Sequence, residues 1–290
     1  MKKLLFGVIG NMGPEADALF QDIVAKKEME HGALKDQDHM GMLVVKNPDI
    51  PDRSEAINEG GEDPVRELLK SAQLLERNNV RFAVMTCNTA HYFRERVQQC
   101  TGVYIVDMLK TTVDTIKAQD PESIVGILCT NGTYNSGIYD QYLEDAHLVF
   151  VKPDSYAQEH YVHSAIYGEV TGEKTQCGQD IRIKNGIKSG VFERNAELLA
   201  KAVQPLADKG VSTVILGCTE LPLVRNLLQK QFPDIHFIDP MEAVADRVVS
   251  IYNTAEERMK SNYIPKVGLN PEKISTDEEI INYILSHISY

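Results

Sequence analysis

No apolar run in the chain approaches the roughly 18 residues that a membrane-spanning helix requires. Basic charge is also in short supply: 30 Lys and Arg stand against 42 Asp and Glu, a net charge of -12. A nucleic-acid surface or an anionic membrane as main partner is therefore not expected, since both select basic patches. The 5 cysteines, at 87, 100, 129, 177 and 218, are odd in number and irregular in spacing. They offer no disulfide framework, and a reduced, cytoplasmic setting is the expectation. There is no C-x-x-C or H-x-x-x-H cluster, so no metal site is expected. No lysine stands with a phosphate cup of the kind a pyridoxal enzyme needs. The opening MKKLLFGVIG is basic and then apolar, but it runs into GNMGPEAD rather than a small-residue cleavage site. A first strand is expected there, not a signal peptide.

What is present is ordinary globular material, 43% hydrophobic and 25% charged over 290 residues, enough for two domains. Apolar runs alternate with helical patterns. Residues 4–10, 39–47, 81–86 and 103–107 are expected strands, and the stretches after them are expected helices, apart from a long irregular loop with two prolines at 48–63. The alternation restarts at 123, where VGILCTNGT, residues 125–133, aligns with FGVIGNMGP, residues 6–14. LVFVKPD, STVILG and IHFID supply the later strands. The expected fold is α/β, with two pseudo-symmetric domains, each a four-stranded parallel sheet flanked by helices and with a ligand site in the cleft between them. Residues 1–107 with 240–290 are assigned to the first domain, and 108–239 to the second. A polar segment at 169–184 reads as an inserted loop or small ribbon. NGIKSGVFERNAELLAKAVQPLADKG reads as one long helix, PMEAVADRVVSIYNTAEERMK as a closing helix, and TDEEIINYILSHI as a last amphipathic one.

Two stretches stand out: RFAVMTCNTAH at 81–91 and STVILGCTEL at 212–221. Each is a buried-strand pattern ending in a cysteine and a threonine, which puts Cys87 and Cys218 at the carboxyl edges of sheets, where open α/β folds bind ligands. Their separation is close to the offset between the first strands of the two copies, so repeat symmetry brings both thiols to one cleft. Free cysteine is usually inert packing, and that role is assigned to Cys100, Cys129 and Cys177. The helix start after each of the other two is expected to draw its thiol towards neutrality. A thiolate and a thiol on opposite faces of a carbon make a base and an acid suited to stereoinversion, with sulfurs about 7 Å apart. A Cys87–His91 nucleophile leaves Cys218 unexplained. The Gly10–Gly13 turn, with its backbone donors, suits an anion, but its G-x-x-G spacing is not that of a dinucleotide fingerprint.

GVIGNMGPEA, IPDRS, CNTAH, TNGTYNSGIY, IKSG and GCTELPLV together resemble the cofactor-independent aspartate/glutamate racemases, up to about residue 255. The resemblance implies racemisation of an acidic amino acid by Cys87 and Cys218 with no cofactor. It implies that Asn88, Thr89, Thr130, Thr133 and Thr219 surround the α-carboxylate and ammonium. Arg53 and Lys188 would hold the side-chain carboxylate, Met12 and Gly13 would line the cleft, and His91 and Glu220 are candidates for tuning the thiols. The chain departs from the family pattern at Asn11, commonly glycine, and at Thr86, often proline. Lys184 competes with Lys188 for alignment because of the 169–184 insertion. The expected partner is a small amino-acid substrate, with a homodimer left open. The rival readings are a cysteine-dependent decarboxylase or cis-trans isomerase on the same frame, and a non-catalytic amino-acid-binding protein.

Overall fold

A computed structural model of the chain describes residues 4–175, 180–261 and 263–288. The strands are β1 (Leu5–Gly10), β2 (Gly41–Lys46), β3 (Phe82–Met85), β4 (Tyr104–Ile105), β5 (Ile124–Cys129), β6 (Val149–Val151), β7 (Val170–Lys174), β8 (Asp180–Arg182), β9 (Thr213–Gly217) and β10 (His236–Ile238). Two four-stranded sheets result, ordered β2-β1-β3-β4 and β10-β9-β5-β6, with every neighbouring pair parallel. Counted within its own half, each sheet has the same order: second strand, first, third, fourth. The repeat inferred from the sequence is thus a repeat of topology.

By contacts the chain divides into two compact units, one of residues 1–51, 63–108 and 241–290, the other of residues 52–62 and 109–240. Sequence order puts 52–62 in the first domain, yet this segment packs with the second unit. Nor is it an irregular loop, since Arg53–Asn58 is helical. Asp52 caps that helix, accepting from the N–H groups of Ser54 at 2.7 Å and Glu55 at 3.0 Å.

In the first unit the core joins Phe6 and Val8 of β1 and Phe82 and Val84 of β3 to the helices Pro14–Glu30, Pro240–Lys260 and Asp277–Ser286. The last of these begins at a capping box formed by Thr276 and Glu279. It buries Ile280, Ile281, Ile284 and Leu285, and Tyr283 Oη donates to the Gly102 carbonyl. The tail beyond residue 255 is therefore part of the core of this unit.

The second sheet is covered on both faces, as parallel sheets are. Val125, Ile127, Cys129 and Ile215 pack on helix Met108–Gln119, and Leu128, Val214 and Leu216 on helix Glu193–Ala207. That second helix is shorter than the sequence pattern suggests, because Gly190 turns left-handed at φ 79° and ends a short 3-10 turn at Ile187–Ser189. Gly7 and Gly126 hold the same place in the two repeats. A Cβ at Gly7 would come within 2.8 Å of Leu75 and Val80, and one at Gly126 within 3.0 to 3.2 Å of Val214 and Leu206. Glycine there admits the covering helix.

The 169–184 insertion is an antiparallel ribbon of β7 and β8. Cys177 falls outside the described residues. Cys129 is buried, but Cys100 is exposed, because it follows the helix Arg94–Gln98 on the surface rather than entering the core. No helix among the described residues is long and apolar enough to cross a membrane.

Candidate active site

In both sheets the order reverses between the first and third strands, and open α/β sheets bind their ligands at the carboxyl ends of strands at such a switch point. In the first unit Ile9 pairs with Met85, which sets the 11–13 turn beside Thr86 and Cys87. Asn11 adopts φ 68°, a left-handed conformation that asparagine tolerates better than most residues and glycine best. The Asn11 N–H donates to Asp17 Oδ2 at 2.6 Å, and the Thr86 hydroxyl donates to Asp17 Oδ1 at 2.6 Å. Asp17 is wholly buried. A Cβ on Gly10 would lie 2.5 Å from Asp17 Oδ2, so the brace also requires glycine at that position. Met12 is buried, and Gly13 is the residue before helix 14–30.

Cys87, Asn88 and Thr89 are all buried just past β3, ahead of a 3-10 turn at Thr89–Phe93. His91 belongs to that turn, with both ring nitrogens engaged by backbone. Nδ1 lies 2.8 Å from the Cys87 carbonyl oxygen, and Nε2 accepts the Met108 N–H at 3.2 Å. Only the neutral Nδ1–H tautomer satisfies both, and burial lowers the pKa of the imidazole accordingly. His91 is thus tied to the main chain on either side of β4.

In the second unit Cys129 pairs with Gly217, which sets Thr130 beside Cys218. Thr130 caps helix Asn131–Ser136, accepting the Thr133 N–H at 3.4 Å, and the two hydroxyls lie 3.3 Å apart. Cys218, Thr219 and Glu220 are buried. The Cys218 thiol donates to Glu220 Oε2 at 3.0 Å, and the Thr219 hydroxyl donates to the same oxygen at 3.4 Å. Glu220 Oε1 is ion-paired with Lys188. Lys188 Nζ also lies 5.3 Å from the centre of the Tyr167 ring. Lys184 is exposed.

Burial raises the Cys218 pKa well above the usual thiol value, and Glu220 adds to the shift while Lys188 opposes it. The thiol is held protonated, contrary to the expectation that the following helix would draw it towards neutrality. The segment after Cys218 opens on a 3-10 turn, Leu221–Val224, whose dipole does not outweigh a buried carboxylate at hydrogen-bonding distance.

Three residues outside the predicted set brace these loops, Tyr167 and His163 in the second unit and Asp17 in the first. Tyr167 donates to Asp52 Oδ2 at 3.4 Å, which ties the cap of the Arg53 helix to the Lys188 neighbourhood. Arg53 itself is buried at the start of that helix. His163 stacks on Tyr167, ring centres 4.8 Å apart, and its Nδ1 accepts the Asn131 N–H at 3.2 Å. It ends a π-helical turn, Gln158–His163, of a kind that often marks functional positions. Neither residue carries a sequence signal. Asp17 carries one: it is a charged residue, like Glu28 further along, on a buried helix face that also holds Ala16, Phe20, Ile23 and Val24. A surface hollow of about 420 Å³ in the first unit, lined by Glu28, His31, Asp38, Glu256 and Lys260 among others, contains none of the candidate residues.

Comparison with known proteins follows the same geography. A broad specificity amino-acid racemase from Bacillus subtilis (strain 168) is 23% identical over 249 residues, 86% of this chain and 98% of the relative. The structure of Picrophilus torridus aspartate racemase superposes with a TM-score of 0.70 at 26% identity, covering 86% of this chain and 94% of that one. Glutamate racemase from Francisella tularensis in complex with D-glutamate shares the fold at 15% identity, with a TM-score of 0.55 over 98% of this chain and 93% of that one. The sequence model of the family described as Asp/Glu/Hydantoin racemase matches residues 9–248, from the first strand into the long helix after β10. With both sheets, both cysteine loops and the turns beside them inside that match, the chain belongs to the Asp/Glu/Hydantoin racemase family.

Proposed function

We propose that the protein racemises an acidic amino acid, aspartate or glutamate or both, by proton transfer between Cys87 and Cys218 without pyridoxal phosphate. The observation that carries this reading is the duplicated placement of the two thiols. Each leaves the third strand of its sheet beside the turn after the first strand, and each is followed at once by buried polar residues.

The difficulty of the reaction is the weak acidity of the α-hydrogen. Cys87 in its thiolate form takes that proton from one face of Cα, and the Cys218 thiol gives a proton to the other face. The protein is left with a Cys87 thiol and a Cys218 thiolate, ready for the opposite enantiomer. The hydrogen bond from Cys218 to Glu220 supports an acid role for Cys218 in the first half of this cycle. Asn88, Thr89, Thr130, Thr133 and Thr219 surround the α-carboxylate and ammonium, and Met12 and Gly13 line the site. Donors to the carboxylate stabilise the charge that develops as the proton leaves, each contributing about 3 kcal/mol. Arg53 and Lys188 take the side-chain carboxylate.

In deuterated buffer, L-aspartate or L-glutamate should yield D-product labelled at Cα, with little label at first in the recovered substrate. Cys87→Ala and Cys218→Ala should each abolish racemisation. A Cys218→Ala protein that racemises normally would remove the two-base mechanism. Calorimetric binding of an amino acid with no turnover would favour a binding protein instead.

A further inference from the structure

We infer that Glu220 sets the side-chain specificity of the site by holding Lys188, so that the choice between an acidic substrate and its uncharged isostere is decided by a carboxylate of the protein itself. The inference rests on the racemase reading above and adds to it a residue that governs which amino acid is accepted.

The geometry makes Glu220 a bridge. One carboxylate oxygen accepts the Cys218 thiol at 3.0 Å, and the other is ion-paired with Lys188. The glutamate side chain is 4% exposed and the lysine side chain 25% exposed, so the pair lies at the edge of the buried region with its cation towards the more open side. A cation offered to a substrate carboxylate attracts it strongly only while its charge is not already balanced. Here Lys188 is balanced by an anion of the same chemical class as an aspartate or glutamate side chain. An incoming distal carboxylate meets the Lys188 charge and the Glu220 charge together, and in a poorly screened site these largely cancel. An amide side chain of the same shape meets no such opposition and gives up less by lacking a charge. Glu220 therefore narrows the gap between acidic and uncharged substrates. Specificity of this kind is a difference between two affinities, and a fixed anion on the site's own cation reduces that difference.

The Cys218 contact gives Glu220 a second effect, on proton transfer, which is common to every substrate. A ratio of two substrates cancels it. The decisive measurement is therefore kcat/KM for aspartate divided by kcat/KM for asparagine, and likewise glutamate over glutamine, followed by deuterium exchange at Cα. Glu220→Gln keeps the shape and an acceptor for the thiol while removing the charge. It should raise the acid-to-amide ratio at least tenfold, whatever it does to the absolute rates. Lys188→Met should move the ratio at least tenfold the other way. A role for Glu220 confined to folding or to the thiol would scale both substrates alike.

If Glu220→Gln folds poorly, Glu220→Asp, which draws the carboxylate back from Lys188 by one methylene, should shift the ratio in the same direction by a smaller factor. Calorimetric dissociation constants for D-aspartate and D-asparagine supply the same ratio without turnover. An active wild-type protein whose ratio stays within twofold on Glu220→Gln, or falls, overturns this inference and leaves the racemase reading standing. A wild-type protein that exchanges the α-hydrogen of no amino acid defeats that reading, and this inference with it.

Discussion

The Thr86 hydroxyl donates to Asp17 Oδ1 at 2.6 Å, while the other oxygen of the same carboxylate accepts the Asn11 N–H at 2.6 Å. Asn11 and Thr86 thus converge on one buried acid, which joins the turn after β1 to the residue preceding Cys87.

Removing that acid leaves the Asn11 N–H without this acceptor and the Thr86 hydroxyl with only a long bond, 3.4 Å, to the Ile9 carbonyl. Asp17→Ala should cost about 2–4 kcal/mol in urea unfolding, at the upper end of single-residue effects. Asn11→Gly keeps the backbone donor and relieves the left-handed conformation, so it should stay within about 0.5 kcal/mol of wild type. Asn11→Ala, which keeps the donor but not the tolerance for φ 68°, should cost about 1–2 kcal/mol. If Asn11→Ala proves harmless, the turn is not held as described.

His163 should make stability depend on pH. Burial, with Arg182 nearby, lowers its pKa to about 4 from the ordinary histidine value of 6.5. Between those two values the unfolded chain binds more protons than the folded one, so stability falls as pH drops from 6.5 and levels off below about 4. The full loss across that window is roughly 3 kcal/mol. His91, whose pKa burial also lowers, adds to the loss in the same direction. Unfolding curves at pH 7.5 and pH 5 should show it. His163→Asn, which retains an acceptor for the Asn131 N–H, should flatten the difference. His91→Ala should lower stability by about 2 kcal/mol through its two lost backbone bonds and leave the pH dependence of Cα exchange where it was. A displaced pH profile would make His91 a tuner of the Cys87 thiol after all.

The tail makes a third prediction. Ile280 and Ile284 are fully buried in the first unit's core, so Ile284→Ala should cost about 2–5 kcal/mol. A chain ending at residue 260 should unfold at markedly lower urea concentration. A truncated chain of unchanged stability would mean that the last helix is not part of that core.

The fold was legible because its signals are repeated. Strand-length apolar runs ending at Gly10, Met85, Cys129 and Gly217 each pass into a polar turn, and the two halves show the same order. What stayed hidden depends on long-range partners. Asp52 and Arg53 look like loop residues because nothing in PDIPDRSEAINEGGED shows that the segment packs with the second unit. The helix patterned over 185–210 is cut by one left-handed glycine, Gly190. The helix that follows Cys218 suggests a thiol near neutrality, and burial, aided by the carboxylate two residues on, reverses that. Tyr167 and His163 meet the site only through the turn at Gln158–His163, whose π-helical bonding has no period in the sequence.

Lys184 and Lys188 are four residues apart and were interchangeable by alignment, but their surroundings differ. Lys188 is paired with Glu220 and stands over Tyr167, whereas Lys184 is exposed on the strand-exit of the ribbon. An exposed lysine contributes little to a bound carboxylate, because water and salt screen it. Lys184→Ala should therefore leave KM and kcat for aspartate and glutamate within about twofold of wild type. Lys188→Ala removes the cation and leaves the Glu220 charge buried without its partner. It should raise KM for the acidic amino acids by about tenfold or more, and lower stability by about 3 kcal/mol, as breaking one side of a buried pair does. Restoring a cation with Lys188→Arg should recover part of the stability, and less of the activity, since the planar guanidinium does not fit the point contact that an ammonium makes with Glu220. The reverse ranking, with Lys184→Ala the damaging change, would shift the substrate's side-chain carboxylate to the ribbon and take Lys188 out of the binding site.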